Sequence, residues 1–282
     1  RIWHMIPLQE LAGALECGLH TGQGSPLLRV GHLKMLADGA LGSCTAEMLA
    51  PYEGRPDAYG VAVTDSEELY RAARSAARCR LASAIHAIGD GANRRVLDVY
   101  QRLAAEGLTA GLRQRIEHVQ LLSPEDLPRL ARLGVIASMQ PTHATQDMEM
   151  ADRHWGHRAR LSYAWRSLLK SGAVLAFGTD CPVEKLDPLA GLYAAVTRQR
   201  ADGTPEGGWY PEQRLTLEEA LWAYTMGSAF ASGQEQDKGS LAPGKLADIV
   251  VLSRDIFAGS PEAILDTVVD MTILGGRVVY ER

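Results

Sequence analysis

Several apolar runs in this chain end on, or just before, side chains that can hold a metal ion. His86 closes "LASAIH", with Asp90 following in "AIGD"; His118 nearly closes "RIEHV"; and Lys34 lies inside "VGHLKML", with Asp38 just beyond it. Gln140 ends "VIASMQ", and Asp180 follows "AVLAFGT". Imidazoles and carboxylates are ligands suited to Zn²⁺ or a similar divalent cation. No other histidine lies two or three residues from His86, so its partners must come from distant parts of the chain. Lys34 is the odd member, because a lysine is seldom fully buried without a partner.

The elements that carry these residues read as repeated β/α units. Apolar runs predict strands over residues 30–36, 81–86, 114–119, 135–140 and 173–179, and amphipathic stretches between them predict helices, a pattern that argues for a parallel sheet. Helix 66–79 opens on "DSEE", with acidic residues in its first turn. Helix 91–106 follows "IHAIGD"; helix 123–134 begins at Ser123 and closes on Gly134; "LSYAWRSLLKSG" and "DPLAGLYAAVTRQR" add two more. Five successive strands thus deliver polar residues at or near their C-terminal ends. In a parallel barrel this end bears the catalytic layer.

From about residue 215 the pattern changes. "LTLEEALWAYTMGSAFASG" predicts one helix with Thr216 and Glu219 in a capping box. "KLADIVVLS", "DTVVDMTILG" and "GRVVYER" follow as β segments, the last two joined at Gly275-Gly276, and predict a small antiparallel sheet. The polar stretch "THATQDMEMADRHWGHR", residues 142–158, reads as a long loop that could form a lid or substrate wall.

Composition excludes other classes. With 46% apolar and 22% charged residues the chain is globular, and a net charge of −5 without a basic block gives no footprint for nucleic acid or an anionic membrane surface. No apolar run spans a membrane. Cys17, Cys44, Cys79 and Cys181 are scattered without CxxC spacing, which predicts a reduced, cytoplasmic protein. The chain opens with Arg rather than Met, and no signal peptide is legible. "GSLAPGK" fits a phosphate loop poorly, since Leu246 follows and the next segment is strand-like. Cys181 beside Asp180 lacks an evident base, which disfavours a thiol nucleophile.

Taken in order, "HLKMLADGALGS", "IHAIGDGANRRVL", "RIEHVQLL", "SMQP", "FGTDCPVEKLDPLAGLYAAVTRQ" and "GSLAPGKLADIVVLSRD" resemble the motifs of the amidohydrolase superfamily. They are most similar to the metal-dependent hydrolase branch of YtcJ-like and N-substituted formamide deformylase-like proteins. The resemblance implies an α/β fold of TIM type, a (β/α)8 barrel represented here by its later strands over residues 1–235, with a β-sandwich segment over 236–282. It also implies a divalent metal, usually zinc, and water-mediated hydrolysis of a C–N bond in a small amide or N-acyl substrate. Lys34 matches the lysine carboxylated to a carbamate ligand, His86 and His118 match two histidine ligands, and Asp180 matches the aspartate that binds metal and serves as general acid/base. Asp38, Asp90 and Gln140 are expected beside the ligands or against substrate. No His-x-His occurs in the sequence, so a second reading stays open: a catalytically incomplete fragment, or a regulatory or binding module that retains the scaffold. An open barrel edge would favour a homo-oligomer that covers it.

Overall fold

The computed structural model of the protein describes residues 1–282. In chain order the elements are β1 (Ile2–Pro7), α1 (Leu11–Glu16), β2 (Leu28–Leu36), α2 (Ser66–Arg78), β3 (Ser83–Ala87), α3 (Asp90–Ala105), β4 (Arg115–His118), α4 (Leu127–Leu133), β5 (Ile136–Met139), α5 (Pro141–Trp155), α6 (Trp165–Lys170), β6 (Leu175–Phe177), α7 (Pro188–Thr197), α8 (Leu217–Trp222), α9 (Ser228–Ala231), β7 (Ile249–Leu252), β8 (Val269–Leu274) and β9 (Arg277–Glu281). The first six strands form one sheet in sequence order, and the last three form a second. The sequence pattern thus predicts five of the six parallel strands. It misses β1, where polar and apolar residues mix and most side chains stay at least partly exposed.

The chain divides into two units, the first comprising residues 1–139 and 147–175. Its strands run parallel, and their register decides which side chains share a face. Leu36 lies opposite His86, His86 opposite Glu117, and Glu117 opposite Ser138, while Lys34, Ala84 and Arg115 form the row two residues behind. Period-two alternation sends the intervening residues to the other face. These are Leu33, Met35, Ile85 and Ile116, all at most 1% exposed, and α2 and α3 contact the strands that bear them. Tyr100 of α3 ties this layer down by donating its hydroxyl to the Arg115 carbonyl at 2.9 Å.

Local signals start and stop the helices as expected. Asp65 accepts from the Glu67 and Glu68 N–H groups to cap α2, and Gly134, at φ 66°, closes α4. Ser123 holds a turn ahead of α4 rather than starting the helix itself. Residues 142–158 depart from expectation: most of them are helical, within α5. Ala144, Met148, Ala151 and Trp155 recur at three- and four-residue spacing and are all buried, an apolar stripe masked by polar neighbours.

The second unit comprises residues 140–146 and 176–282. Asp187 caps α7 through the Leu189 N–H. The expected long helix after Thr216 has its capping box but is interrupted by a π-turn, Ala223–Gly227, between α8 and α9. The β7-β8-β9 sheet is antiparallel as expected, with Gly275 and Gly276 both at positive φ in the turn between β8 and β9. No helix is long and apolar enough to cross a membrane.

One polar cluster in the first unit carries measurable stability. Asp126, buried, accepts from Ser123 Oγ at 2.7 Å, Arg94 Nε at 2.8 Å and Arg129 Nη1 at 2.9 Å. Burial pushes its carboxyl upward, but bonds from Arg129, Ser123 and Arg94 outweigh this and hold it below the ordinary aspartate value. A carboxyl held low stabilises the fold above its unfolded pKa, and that contribution is lost as pH falls through the folded value. Asp126→Asn is expected to cost about 2 kcal/mol at pH 7, because two guanidinium groups lose their charged acceptor. The penalty shrinks below about pH 4. Urea unfolding of both proteins at pH 7 and at pH 3.5 checks the magnitude and the sign.

Candidate active site

In the first unit the site is built around Asp38. β2 ends at Leu36, and the Ala37 N–H still bonds the His86 carbonyl at 2.9 Å, so the chain leaves the sheet beside the end of β3. Asp38 is 2% exposed, and its carboxylate takes the N–H groups of Ile88 at 3.0 Å, Gly89 at 2.9 Å and Glu47 at 2.9 Å. Burial pushes its carboxyl up to about 7, against the downward pull of these three donors.

His86 is set by the same loop. Its Nε2 lies 2.8 Å from the Gly39 carbonyl and 3.6 Å from Asp38 Oδ1. A carbonyl only accepts, so Nε2 carries the proton and the lone pair is on Nδ1, the tautomer a metal ligand needs. Gly39 has no room for a side chain, since a Cβ would fall 2.0 Å from Thr45 Oγ1.

His118 reaches His86 by breaking strand geometry. Strict alternation would turn it away from the face shared by His86 and Glu117, yet its ring lies 4.6 Å from the His86 ring, edge to face. His118 and Val119 stand at φ 77° and 46°, conformations costly for non-glycine residues. The strain at the end of β4 thus accompanies the side-by-side placement of the two imidazoles.

Glu117 and Lys34 share that face. Burial alone would raise the Glu117 carboxyl; Arg115, then Lys34, the Ser138 hydroxyl and His118 bring it down to about 2. Arg115 Nε is 2.5 Å from Glu117 Oε1. Asp90, the first residue of α3, accepts the Leu49 N–H at 2.9 Å and so holds the loop that follows Asp38; burial raises its carboxyl. Glu117 was not singled out by sequence, where it reads as one polar residue inside a strand.

In the second unit, Asp180 follows β6 at φ 60° and presents Oδ2 3.4 Å from His143 Nε2. His143 is buried, and its Nδ1 lies 4.0 Å from Glu184 Oε1. Gln140, also buried, accepts the His143 N–H on its backbone carbonyl at 3.1 Å, so the residue just past β5 opens the turn that presents the histidine. His143 went unrecognised in sequence because residues 142–158 read as loop; one helical turn between Gln140 and His143 was the available signal. Lys34, Asp38, His86, His118 and Asp90 thus belong to the first unit, and Gln140 and Asp180 to the second.

Known proteins share this arrangement of motifs. A model of the amidohydrolase family, Amidohydro_3, matches residues 2–280. The putative amidohydrolase YtcJ of Bacillus subtilis (strain 168) is 34% identical over 258 residues, covering 91% of this chain and 48% of that protein. The N-substituted formamide deformylase of Arthrobacter pascens is 27% identical over 281 residues, covering 99% of this chain and 51% of that protein. Among solved structures, an uncharacterized metal-dependent hydrolase from Pyrococcus horikoshii OT3 aligns with a TM-score of 0.81 at 34% identity, over 93% of this chain and 52% of that one. The chain belongs to the amidohydrolase family, in its YtcJ-like branch. It spans about half the length of the proteins it matches.

The loop that seats Asp38 and His86 depends on a close backbone approach at Gly89. A Cβ there would lie 1.9 Å from the Glu47 carbonyl oxygen, with other Glu47 backbone atoms within 3 Å. The clash is with backbone and cannot be relieved by a rotamer change. Gly89→Ala is expected to destabilise the first unit by about 3 kcal/mol, whereas Gly107→Ala meets no atom within 4 Å and is strained only by its φ of 72°. Thermal unfolding of the two variants compares them; an equal loss in both would remove the packing argument.

Proposed function

We propose that the chain carries the ligand set of a metal-dependent hydrolase that cleaves the C–N bond of a small amide, N-acyl or cyclic substrate. The observation that carries this reading is the His86–His118 pair, with rings 4.6 Å apart, one tautomer fixed by Gly39 and the other ring placed by a strained backbone. Two imidazoles on one sheet face beside a lysine, in a chain similar to a metal-dependent hydrolase of known structure, fit a borderline divalent cation such as zinc. The name of the formamide deformylase relative supports a C–N bond as the one broken.

In this proposal Lys34, His86, His118 and Asp180 are the ligands. A divalent cation held there supplies Lewis acidity, lowering the pKa of water and polarising a carbonyl oxygen. Lys34 contributes after carboxylation of Nζ: the ammonium gives up one proton, the free amine forms an N–C bond to carbon dioxide and gives up a second, and a positive group is replaced by an anionic oxygen donor. Glu117 keeps a cationic partner through that change, because Arg115 stays 2.5 Å away. Asp180 takes up the proton of the attacking water and returns it to the leaving amine nitrogen, with His143 orienting the carboxylate at 3.4 Å. Asp38 holds the His86 loop, Asp90 braces the segment behind it, and Gln140 contacts substrate.

Elemental analysis of purified protein is expected to find about one tightly held divalent ion per chain, chiefly zinc. His86→Ala and His118→Ala should each lower that content at least fivefold with an unchanged circular dichroism spectrum. Asp180→Asn should reduce hydrolysis of N-formyl or N-acyl amines by about 10²-fold or more. Wild-type protein holding no more metal than His118→Ala would instead favour a scaffold that binds without turning over.

A further inference from the structure

Apart from these residues, the first unit contains a second pair of reactive side chains. Cys44 Sγ lies 3.9 Å from His154 Nδ1, within reach of a sulfur hydrogen bond. Both residues are partly buried, whereas Cys17, Cys79 and Cys181 are exposed. The surroundings fix the pair from two sides. Arg158 donates to the Ala50 and Pro51 carbonyls, at 2.7 Å each, and the Glu53 N–H bonds the His154 carbonyl at 2.9 Å, stapling the Cys44 loop to the end of α5. The Tyr52 ring stands edge-on to the imidazole at 6.2 Å, and its hydroxyl is anchored on the Ala46 carbonyl at 2.7 Å.

Two further features suit a nucleophile. Cys44 is held at φ 53°, a left-handed conformation that glycine or asparagine would adopt more cheaply. Burial, then Arg55 and Arg153, keep the His154 imidazole below its ordinary pKa, which favours the neutral form that can accept a proton.

We propose that Cys44 and His154 form a thiol–imidazole dyad, a modification site that takes small hydroperoxides. Sγ attacks one peroxide oxygen as His154 Nδ1 accepts the thiol proton. The O–O bond breaks, and the departing oxygen takes that proton. Sulfur is thereby oxidised by two electrons to sulfenic acid, and the hydroperoxide is reduced to alcohol or water. Neither member of the pair is one of the ligands assigned above, so the proposal does not depend on that function.

The test is a time course of the protein as isolated with hydrogen peroxide and the sulfenic acid trap dimedone, quantified at each cysteine by peptide mapping. Cys44 should be labelled at least tenfold faster than Cys17, Cys79 and Cys181, although those three are more exposed. His154→Gln should bring the Cys44 rate down to theirs and leave theirs unchanged. Uniform labelling of the four cysteines in the wild-type protein would overturn the proposal without recourse to any variant, as would a Cys44 rate unchanged by His154→Gln.

Discussion

The candidate site in the first unit depends on one buried carboxylate. Asp38 gathers N–H groups from Ile88, Gly89 and Glu47, and so joins the exit of β2, the exit of β3 and the loop between β2 and α2 at a single point. Burying the charge is unfavourable, and its pKa near 7 records that cost. The three donors offset it in part, and they do so only while both chain segments stay where they are. Gly89 is needed because the Glu47 backbone passes against it, and Gly39 because Thr45 does. With those contacts in place the Gly39 carbonyl faces His86 Nε2 and sets its tautomer. The placement of one imidazole proton thus traces back to backbone hydrogen bonds on the Asp38 carboxylate.

A polar face on a parallel sheet requires its charges to be matched. Lys34, His86, Arg115 and Glu117 occupy neighbouring positions on one face, while Leu33, Met35, Ile85 and Ile116 make the opposite face largely apolar. Glu117 is the member that balances the others: it pairs with Arg115 and feels Lys34, so the cations meet an anion within the sheet itself. An unpaired buried charge would cost far more than the pair does. Arg115 thereby leaves Lys34 less essential to the neutrality of the face.

Much of this was legible in sequence where the signal is local. Asp65, Thr216 and Gly134 act at helix ends, and side-chain chemistry within three residues sets their role. The alternation of apolar runs and helices gave the parallel strands from β2 to β6, and the positions of Lys34, His86 and His118 near their C-terminal ends followed. What escaped was non-local or conformational. α5 was hidden because Ala144, Met148, Ala151 and Trp155 are spaced among polar residues, and with it went His143. β1 escaped because an edge strand with exposed side chains has no clean period. No feature of the dipeptide His118-Val119 announces two consecutive left-handed residues; only the fold around them enforces that.

That conformation also separates His118 from its neighbour Glu117. A residue at the end of a strand is free of one set of ladder constraints, so its backbone can turn and its side chain can change faces. Glu117, one step earlier, is still paired with His86 and Ser138 and must follow the alternation. The two neighbours therefore reach the same face by different routes, Glu117 by register and His118 by strain. Register follows from pattern and propagates along the sheet. Strain has to be sustained by contacts, here the His86 ring on one side and, on the other, the Val119 N–H bonded to the Ala87 carbonyl at 3.1 Å. A site assembled in this way places rigidity in the sheet and confines the departure from ideal geometry to the residue that needs it.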